Sequence, residues 1–253
     1  MLLLHDKVPP AAARGRRGKA AFRVGRRRIL PSRARLRAME AASRLRRVPP
    51  PTRPPRPERH VPLPSPETLR AALDAYPQVV ERQGVAKLPE LDRWYREEFP
   101  GLVAAREPAH ATHPEVVRVT EWKMARGVWR APNLVLVRGN DPAAVEEASA
   151  TALALAPHPT APIARLAKLK GVGPATASAV LAAFRPDVYP FFDEIVAARL
   201  PGLGEVAWTL GYYGRYAEAL RGETERLGGE WTPAALERAL WSLAGGKAGV
   251  GGG

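Results

Sequence analysis

Apolar residues along this chain recur at helical spacing, and no strand-like alternation persists. The clearest stripe, Leu69, Leu73 and Tyr76, follows Ser65, a residue typical of a helix start because its hydroxyl caps the first turn. A second apolar stripe lies on a predicted helix from Pro89 to Phe99. The pattern therefore predicts an all-α fold.

The same signals predict the remaining helices, since prolines and capping residues mark their starts and glycine or proline marks their ends. The predicted segments are Pro114 to Arg126, Pro142 to about Ala156, a short helix opened by Pro162, a helix from Pro174, Glu194 to Arg199, Glu205 to Leu227, and Pro233 to about Leu243. A chain of this length can form one large domain or two small helical lobes, each with a core. We therefore predict a two-lobed helical bundle over residues 63–244.

Residues 163–183 contain two apolar helix faces joined by a turn with two glycines, Gly171 and Gly173. A tight turn needs backbone conformations that a Cβ obstructs, and bare backbone can approach a phosphate closely. Pro174 stands where the second helix would begin, so the turn directs free amides toward one point, as in an anion-binding nest. The pattern predicts a helix-hairpin-helix that binds DNA phosphate through Lys168, Lys170, Gly171, Val172, Gly173, Ala175 and Thr176. The alternative is an ordinary turn between two helices of a bundle.

Asp193 follows the hairpin, twenty residues after Gly173. From Leu166 to Val196, the glycine turn and this aspartate give the chain a pattern that resembles the helix-hairpin-helix DNA glycosylase superfamily, the endonuclease III-like base-excision enzymes. The resemblance implies that Asp193 is the catalytic carboxylate. Bifunctional members carry a Schiff-base lysine two residues after the second hairpin glycine, and this chain has Ala175 there. The resemblance therefore implies a monofunctional DNA N-glycosylase.

A carboxylate suits this chemistry because cleavage of an N-glycosidic bond leaves positive charge on the deoxyribose. The carboxylate can also orient or deprotonate the attacking water, once the nucleotide is flipped out of the duplex. The alternative role for Asp193 is to cap the predicted helix from Glu194 to Arg199. The two roles do not exclude each other.

Aromatic and cationic side chains suggest a base pocket. Trp122, Lys123 and Arg126 lie near the end of one predicted helix, where a tryptophan can stack on an unpaired base while cations hold its phosphate. Lys123 also carries an amine nucleophile, although nothing in its spacing selects it. The candidate base pocket comprises Trp122, Lys123, Phe192 and Tyr212. The alternative for the aromatic rings is the hydrophobic core.

The formal charge of the chain is +14, but the excess lies at its N-terminal end. Residues 1–60 hold 18 Lys and Arg against 3 Asp and Glu, whereas residues 61–253 hold 21 against 22. Because large apolar groups are few, residues 1–62 are predicted to be a disordered Arg/Pro-rich arm. Its interpretations are a nuclear-import signal, a nonspecific DNA tether, a mitochondrial presequence, a segment without function, or a segment that is not translated if initiation occurs at Met39. Residues 245–253 read GGKAGVGGG and are predicted to be a flexible tail.

The absence of cysteine excludes disulfides, thiolate zinc sites and iron-sulfur clusters. We expect no cofactor and no metal, and no apolar run is long enough to predict a membrane span. The predicted protein is an intracellular monomer that binds duplex DNA through its phosphate backbone, with the nucleus favoured and the mitochondrion as the alternative. Its predicted role is base-excision DNA repair. The alternatives are a catalytically inactive helix-hairpin-helix DNA-binding module and a protein-interaction scaffold.

Overall fold

The computed structural model describes residues 63–250, and every regular element within that range is helical. The all-α prediction is thus confirmed for this part of the chain. The arm predicted at residues 1–62, with the functions suggested for it, lies outside the described residues, as do residues 251–253.

Seven α-helices and one π-helical turn lie between Pro66 and Ala154. They are α1 (Pro66–Asp74), α2 (Tyr76–Arg82), α3 (Leu88–Arg93), the π-helical turn (Trp94–Glu98), α4 (Phe99–Ala104), α5 (His113–Arg126), α6 (Ala131–Arg138) and α7 (Pro142–Ala154). The helices that follow are α8 (Ala161–Leu166), α9 (Pro174–Phe184), α10 (Glu194–Ala197), α11 (Leu210–Leu227), α12 (Pro233–Leu243) and α13 (Gly246–Val250).

Side-chain caps fix several helix starts where the sequence predicts them. Ser65 accepts a hydrogen bond from the Thr68 amide ahead of α1. Thr232 does the same for Ala235 ahead of α12, at 3.1 Å. Each cap satisfies an amide that the first helical turn leaves without an internal partner. These starts are therefore determined by residues close in sequence.

Several elements differ from the prediction, and helix α6 was not predicted. The helix predicted from Pro89 to Phe99 is instead α3, the π-helical turn and α4, which continues to Ala104. The helix predicted from Glu205 begins only at Leu210, because Thr209 caps it by accepting a hydrogen bond from the Tyr212 amide at 3.2 Å. Residues 205–209 are consequently a loop.

The predicted flexible tail begins with a short helix, α13, which packs back onto α2 and α12. The nitrogen and the oxygen of the Gln83 side-chain amide both form hydrogen bonds that hold this helix in place. Its Nε2 donates to the Gly245 carbonyl at 3.0 Å, and its Oε1 accepts from the Ala248 amide at 2.9 Å. A helix this short and rich in glycine depends on such tertiary contacts, which composition does not reveal.

The buried apolar side chains form one continuous core, rather than a separate core for each of two lobes. Helix α5 lies inside it and packs against α3, α6, α7 and α9, while α12 packs against α1 and α11. Arg126 on α5 and Glu237 on α12 form a fully buried ion pair with a shortest distance of 2.7 Å. The Tyr95 hydroxyl donates to the Ala179 carbonyl and joins the π-helical turn to α9.

Within residues 63–250, no helix combines the length and the hydrophobicity that crossing a bilayer requires.

Candidate active site

The connection between α8 and α9 packs tightly against α6. Gly171 has φ +73°, and a Cβ placed there would lie 2.6 Å from the Asn133 carbonyl oxygen and 2.8 Å from the Leu136 Cβ. Both the backbone conformation and the contact with α6 therefore require glycine at this position. This packing role is additional to the role that the sequence suggests, in which the glycine backbone approaches a phosphate closely.

Gly173, by contrast, faces open space. It is exposed, has ordinary backbone angles as the N-cap of α9, and a Cβ there would meet nothing within 4 Å. The backbone amides of Gly171, Gly173, Ala175 and Thr176 donate to no acceptor among the described residues. The turn can therefore supply several donors to an anion at the N-terminus of an eleven-residue helix.

Lys168 and Lys170 directly precede this turn, and both are exposed without an ion pair to any described residue. The backbone of Lys170 is held firmly, because Asn140 donates to its carbonyl at 2.9 Å and accepts from its amide at 2.8 Å. Val172 is buried and anchors the turn in the core. Lys170 thus has an exposed side chain on a backbone that is held in place.

The segment that carries Asp193 is attached to α9. The Phe192 amide donates to the Ser178 hydroxyl at 2.9 Å, and Ser178 lies on α9. The Tyr216 hydroxyl, on α11, donates to the Phe191 carbonyl at 2.6 Å. The helix that starts at the glycine turn therefore helps to set where Asp193 lies.

Asp193 caps α10, as one interpretation of the sequence predicts. Its Oδ1 accepts a hydrogen bond from the Ile195 amide at 2.8 Å. The residue keeps only 7% of its surface exposed. An ionised carboxylate has further lone pairs beyond this one bond, so capping leaves acceptor capacity unused.

Asp193 also lines a small pocket, where the C-terminal end of α5 meets the segment before α10. The pocket encloses about 50 Å³ and is lined by Lys123, Gly127, Val128, Arg130, Phe191, Phe192, Asp193, Glu194 and Trp208. This volume admits water. Of the predicted site residues, Lys123 and Phe192 are therefore brought together with Asp193.

Lys123 is partly buried in this pocket and forms neither a hydrogen bond nor an ion pair with a described residue. Burial lowers the pKa of its amine, and the nearby positive charge of Arg130 lowers it further. The carboxylates of Asp193 and Glu194 act in the opposite direction without reversing the shift. A lowered pKa increases the fraction of neutral, nucleophilic amine.

Trp122 and Tyr212 do not line this pocket, so the structure separates them from the other predicted base-pocket residues. Trp122 is fully buried and stacked on Tyr95 with ring centroids 3.8 Å apart. Tyr212 is 1% exposed and stacks on the inner side of Phe192 at 5.6 Å. Adjacent residues of a helix point about 100° apart. Because Trp122 faces the core, Lys123 points away from it toward the pocket.

A buried carboxylate holds Trp122 in place. Asp92 accepts hydrogen bonds from the Trp122 indole and the Tyr76 hydroxyl, each at 2.8 Å, and from Arg96 at 3.0 Å. Burial alone would raise the pKa of Asp92, but the Arg96 charge and these donors lower it below its ordinary value. Trp122 also lines a separate cavity of about 160 Å³ with Arg126 and Glu237. Arg126, which the sequence suggested as a cation for a DNA phosphate, instead forms the buried ion pair with Glu237.

Sequence reasoning did not assign Trp208 or Arg130 to the site. Trp208 is 44% exposed, lies at the edge of the pocket and packs on Phe192 with centroids 4.9 Å apart. The sequence predicts a helix from Glu205 to Leu227, which includes Trp208. Thr209 is the signal that was overlooked, because a threonine cap leaves the preceding tryptophan in the loop.

Within residues 63–250, no group of three or more metal-binding side chains is placed to hold a metal ion. Comparison of the chain with family models, with curated proteins and with solved structures gives no match.

Proposed function

We propose that this chain is a DNA-binding base-excision repair protein, a monofunctional N-glycosylase that hydrolyses the glycosidic bond of a flipped, damaged or mismatched base. In this proposal, residues 163–183 act as a helix-hairpin-helix and Asp193 acts on the sugar. One observation carries it: the hydrogen bond from the Phe192 amide to Ser178 links the α9 helix to the acid beside the pocket. A bound phosphate and a reacting sugar would thereby keep a constant separation.

The glycine turn supplies the proposed phosphate site. Its free amides act with the N-terminus of α9, and the exposed Lys168 and Lys170 add charge. Such contacts recognise the backbone rather than the base sequence. They also explain how a folded region with nearly balanced charge can bind DNA, since the cations are local.

Asp193 supplies the proposed chemistry. As the base departs, positive charge develops on the deoxyribose, and a carboxylate held by its cap to the Ile195 amide stabilises that charge without reorganising. The pocket has room for a water that the same carboxylate can orient. Trp208, exposed at the pocket edge, offers a ring on which an unstacked base can stack.

The test is cleavage of duplexes that carry a single uracil, alkylated, oxidised or mismatched base, followed by alkali to break the abasic sites. The matched variant is Asp193→Asn, because asparagine is an equally good helix cap and leaves the start of α10 intact. The proposal expects product from the wild type and none from Asp193→Asn at unchanged thermal stability. Equal cleavage by both proteins would refute the assigned role.

The second candidate is a DNA-binding module without activity. The low exposure of Asp193 and its capping bond favour it, because a capping carboxylate has a structural reason to exist. Tight DNA binding with no product on any lesion supports this candidate. If Gly173→Ala leaves the DNA affinity unchanged, a protein-interaction scaffold becomes the better description.

A further inference from the structure

We propose that the cavity beside Trp122 binds a small aromatic carboxylate, a monoanion with one flat ring, between three arginines and aromatic walls. The cavity encloses about 160 Å³ and is separate from the pocket of Asp193, and of their described lining residues only Phe191 is common to both. Neither Asp193 nor the glycine turn lines it. The inference therefore goes beyond the proposed function and does not depend on it.

The cavity combines buried aromatic rings with access from solvent. Tyr95, Trp122 and Phe191 line it and are almost completely buried. Pro186 also lines it and is exposed, and Pro100 is half-buried, so solvent reaches the cavity on their side. An apolar cavity of about 150 Å³ holds one benzene ring. The volume beside Trp122 is therefore suited to a single ring.

Three arginines line the cavity, but described carboxylates neutralise only two of them. Arg96 donates to Asp92 at 3.0 Å, and Arg126 pairs with Glu237 at 2.7 Å. Arg238 forms no hydrogen bond and no ion pair with a described residue. This side of the cavity consequently carries one positive charge more than its described partners balance.

Two nitrogens of these guanidinium groups lack an acceptor. The Nε atoms of Arg126 and Arg238 are buried and donate to no described residue. Burial and the nearby positive charge of Arg96 lower the pKa of Arg238, and the carboxylates of Glu237 and Asp92 oppose this without reversing it. A guanidinium still keeps its proton at neutral pH, so it cannot lose its charge as a buried lysine can. Because an unpaired buried charge costs free energy, an anion in this cavity would relieve that cost.

The lining residues also select among anions. The planar fork of an arginine matches the two oxygens of a carboxylate. The buried rings favour a flat apolar body, which packs against them and leaves water. Glu237 repels a second negative charge, so a monoanion fits better than a phosphate dianion. These three features together favour a ring-sized carboxylate.

The experiment titrates benzoate into the full chain at constant ionic strength and measures binding by isothermal titration calorimetry. The expected result is one saturable site, together with a melting temperature that rises as benzoate is added. Benzyl alcohol has the ring without the charge, and acetate and inorganic phosphate have charge without the ring. Each should bind roughly tenfold more weakly than benzoate, or weaker still. The assay contains no DNA, so its outcome is independent of the glycosylase proposal.

Arg238→Gln tests the assignment, because it removes the charge without breaking a bond to any described residue. Its benzoate affinity should fall by roughly tenfold while its thermal stability does not fall. Arg238→Lys keeps the charge but loses the fork, so it should also bind more weakly, and it replaces Arg238→Gln if that variant does not fold. The control Arg82→Gln changes an exposed arginine on α2 and should bind benzoate like the wild type.

Three results would overturn the inference. The folded wild type gives no saturable benzoate binding, benzyl alcohol or phosphate binds as tightly as benzoate, or a folded Arg238 variant keeps the wild-type affinity.

Discussion

Gly171 and Gly173 form a matched pair that separates packing from phosphate binding, because the same methyl group is added two residues apart. At Gly171 an alanine must adopt a positive φ and approach the Asn133 carbonyl to 2.6 Å. The conformation costs about 1–2 kcal/mol, and relieving the overpacked contact costs about 1–3 kcal/mol. Gly171→Ala should therefore lower the free energy of unfolding by roughly 2–5 kcal/mol. For a domain of this size, the melting temperature should fall by about 10 °C.

Gly173→Ala meets no atom within 4 Å and has no strained φ, so its stability should change by less than about 0.5 kcal/mol. On the proposed function, the added methyl group should nevertheless hinder a phosphate that approaches the neighbouring amides. If one charge-assisted hydrogen bond to phosphate is lost, DNA affinity should fall by roughly tenfold.

Urea unfolding measures the first quantity, and fluorescence anisotropy with a labelled duplex measures the second. The reasoning about packing is refuted if Gly171→Ala unfolds at the wild-type urea concentration. The reasoning about phosphate is refuted if Gly173→Ala is stable and binds DNA with unchanged affinity.

Three further predictions concern the Asp92 network, the hairpin lysines and the pocket edge. Asp92→Ala should cost about 3–5 kcal/mol, measured by urea unfolding, because it leaves the Arg96 charge and the Trp122 indole without their buried acceptor. The pKa of Asp92 is lowered in the folded state. The carboxylate therefore stabilises the fold above the ordinary carboxyl pKa, and this stabilisation is lost as the pH falls through the folded-state pKa. Asp92→Asn should consequently flatten the acid side of a curve of stability against pH. Lys168→Gln and Lys170→Gln should each reduce the slope of log affinity against log salt by about 0.9 in DNA titrations; an unchanged slope would remove that lysine from the interface. Trp208→Ala should slow base release while changing the melting temperature by only a few degrees, because the ring is half exposed, and wild-type rates would argue against stacking at the pocket edge.

Local signals made much of the fold predictable. The starts of α1 and α12 follow from Ser65 and Thr232, whose hydroxyls reach amides three residues away. Helix α6 was missed because its apolar residues are not confined to one buried stripe. Val135 and Leu136 remain exposed in it while Leu134 and Val137 are buried. The continuous core was also beyond prediction, since periodicity shows which face is apolar but not which helix covers it.

The site was predictable in its parts rather than in its assembly. Asp193 follows from its position after the hairpin, but its place beside Lys123 depends on helices that are distant in sequence. Trp122 and Lys123 are neighbours, and nothing in their order indicates which one turns inward. Asp92 decides this, because it accepts the indole hydrogen bond from inside the core. Trp208 entered the site because Thr209 starts α11 later than the aromatic run suggested.

The two hydrogen bonds between Asn140 and the Lys170 backbone have an evolutionary consequence. One short amide side chain supplies both the donor and the acceptor, whereas an ionised aspartate has no donor and alanine has neither group. Homologues that retain the glycine turn should therefore retain asparagine here. Where one position drifts, the other should be free to drift as well, so the pair would serve as a marker when distant relatives are sought.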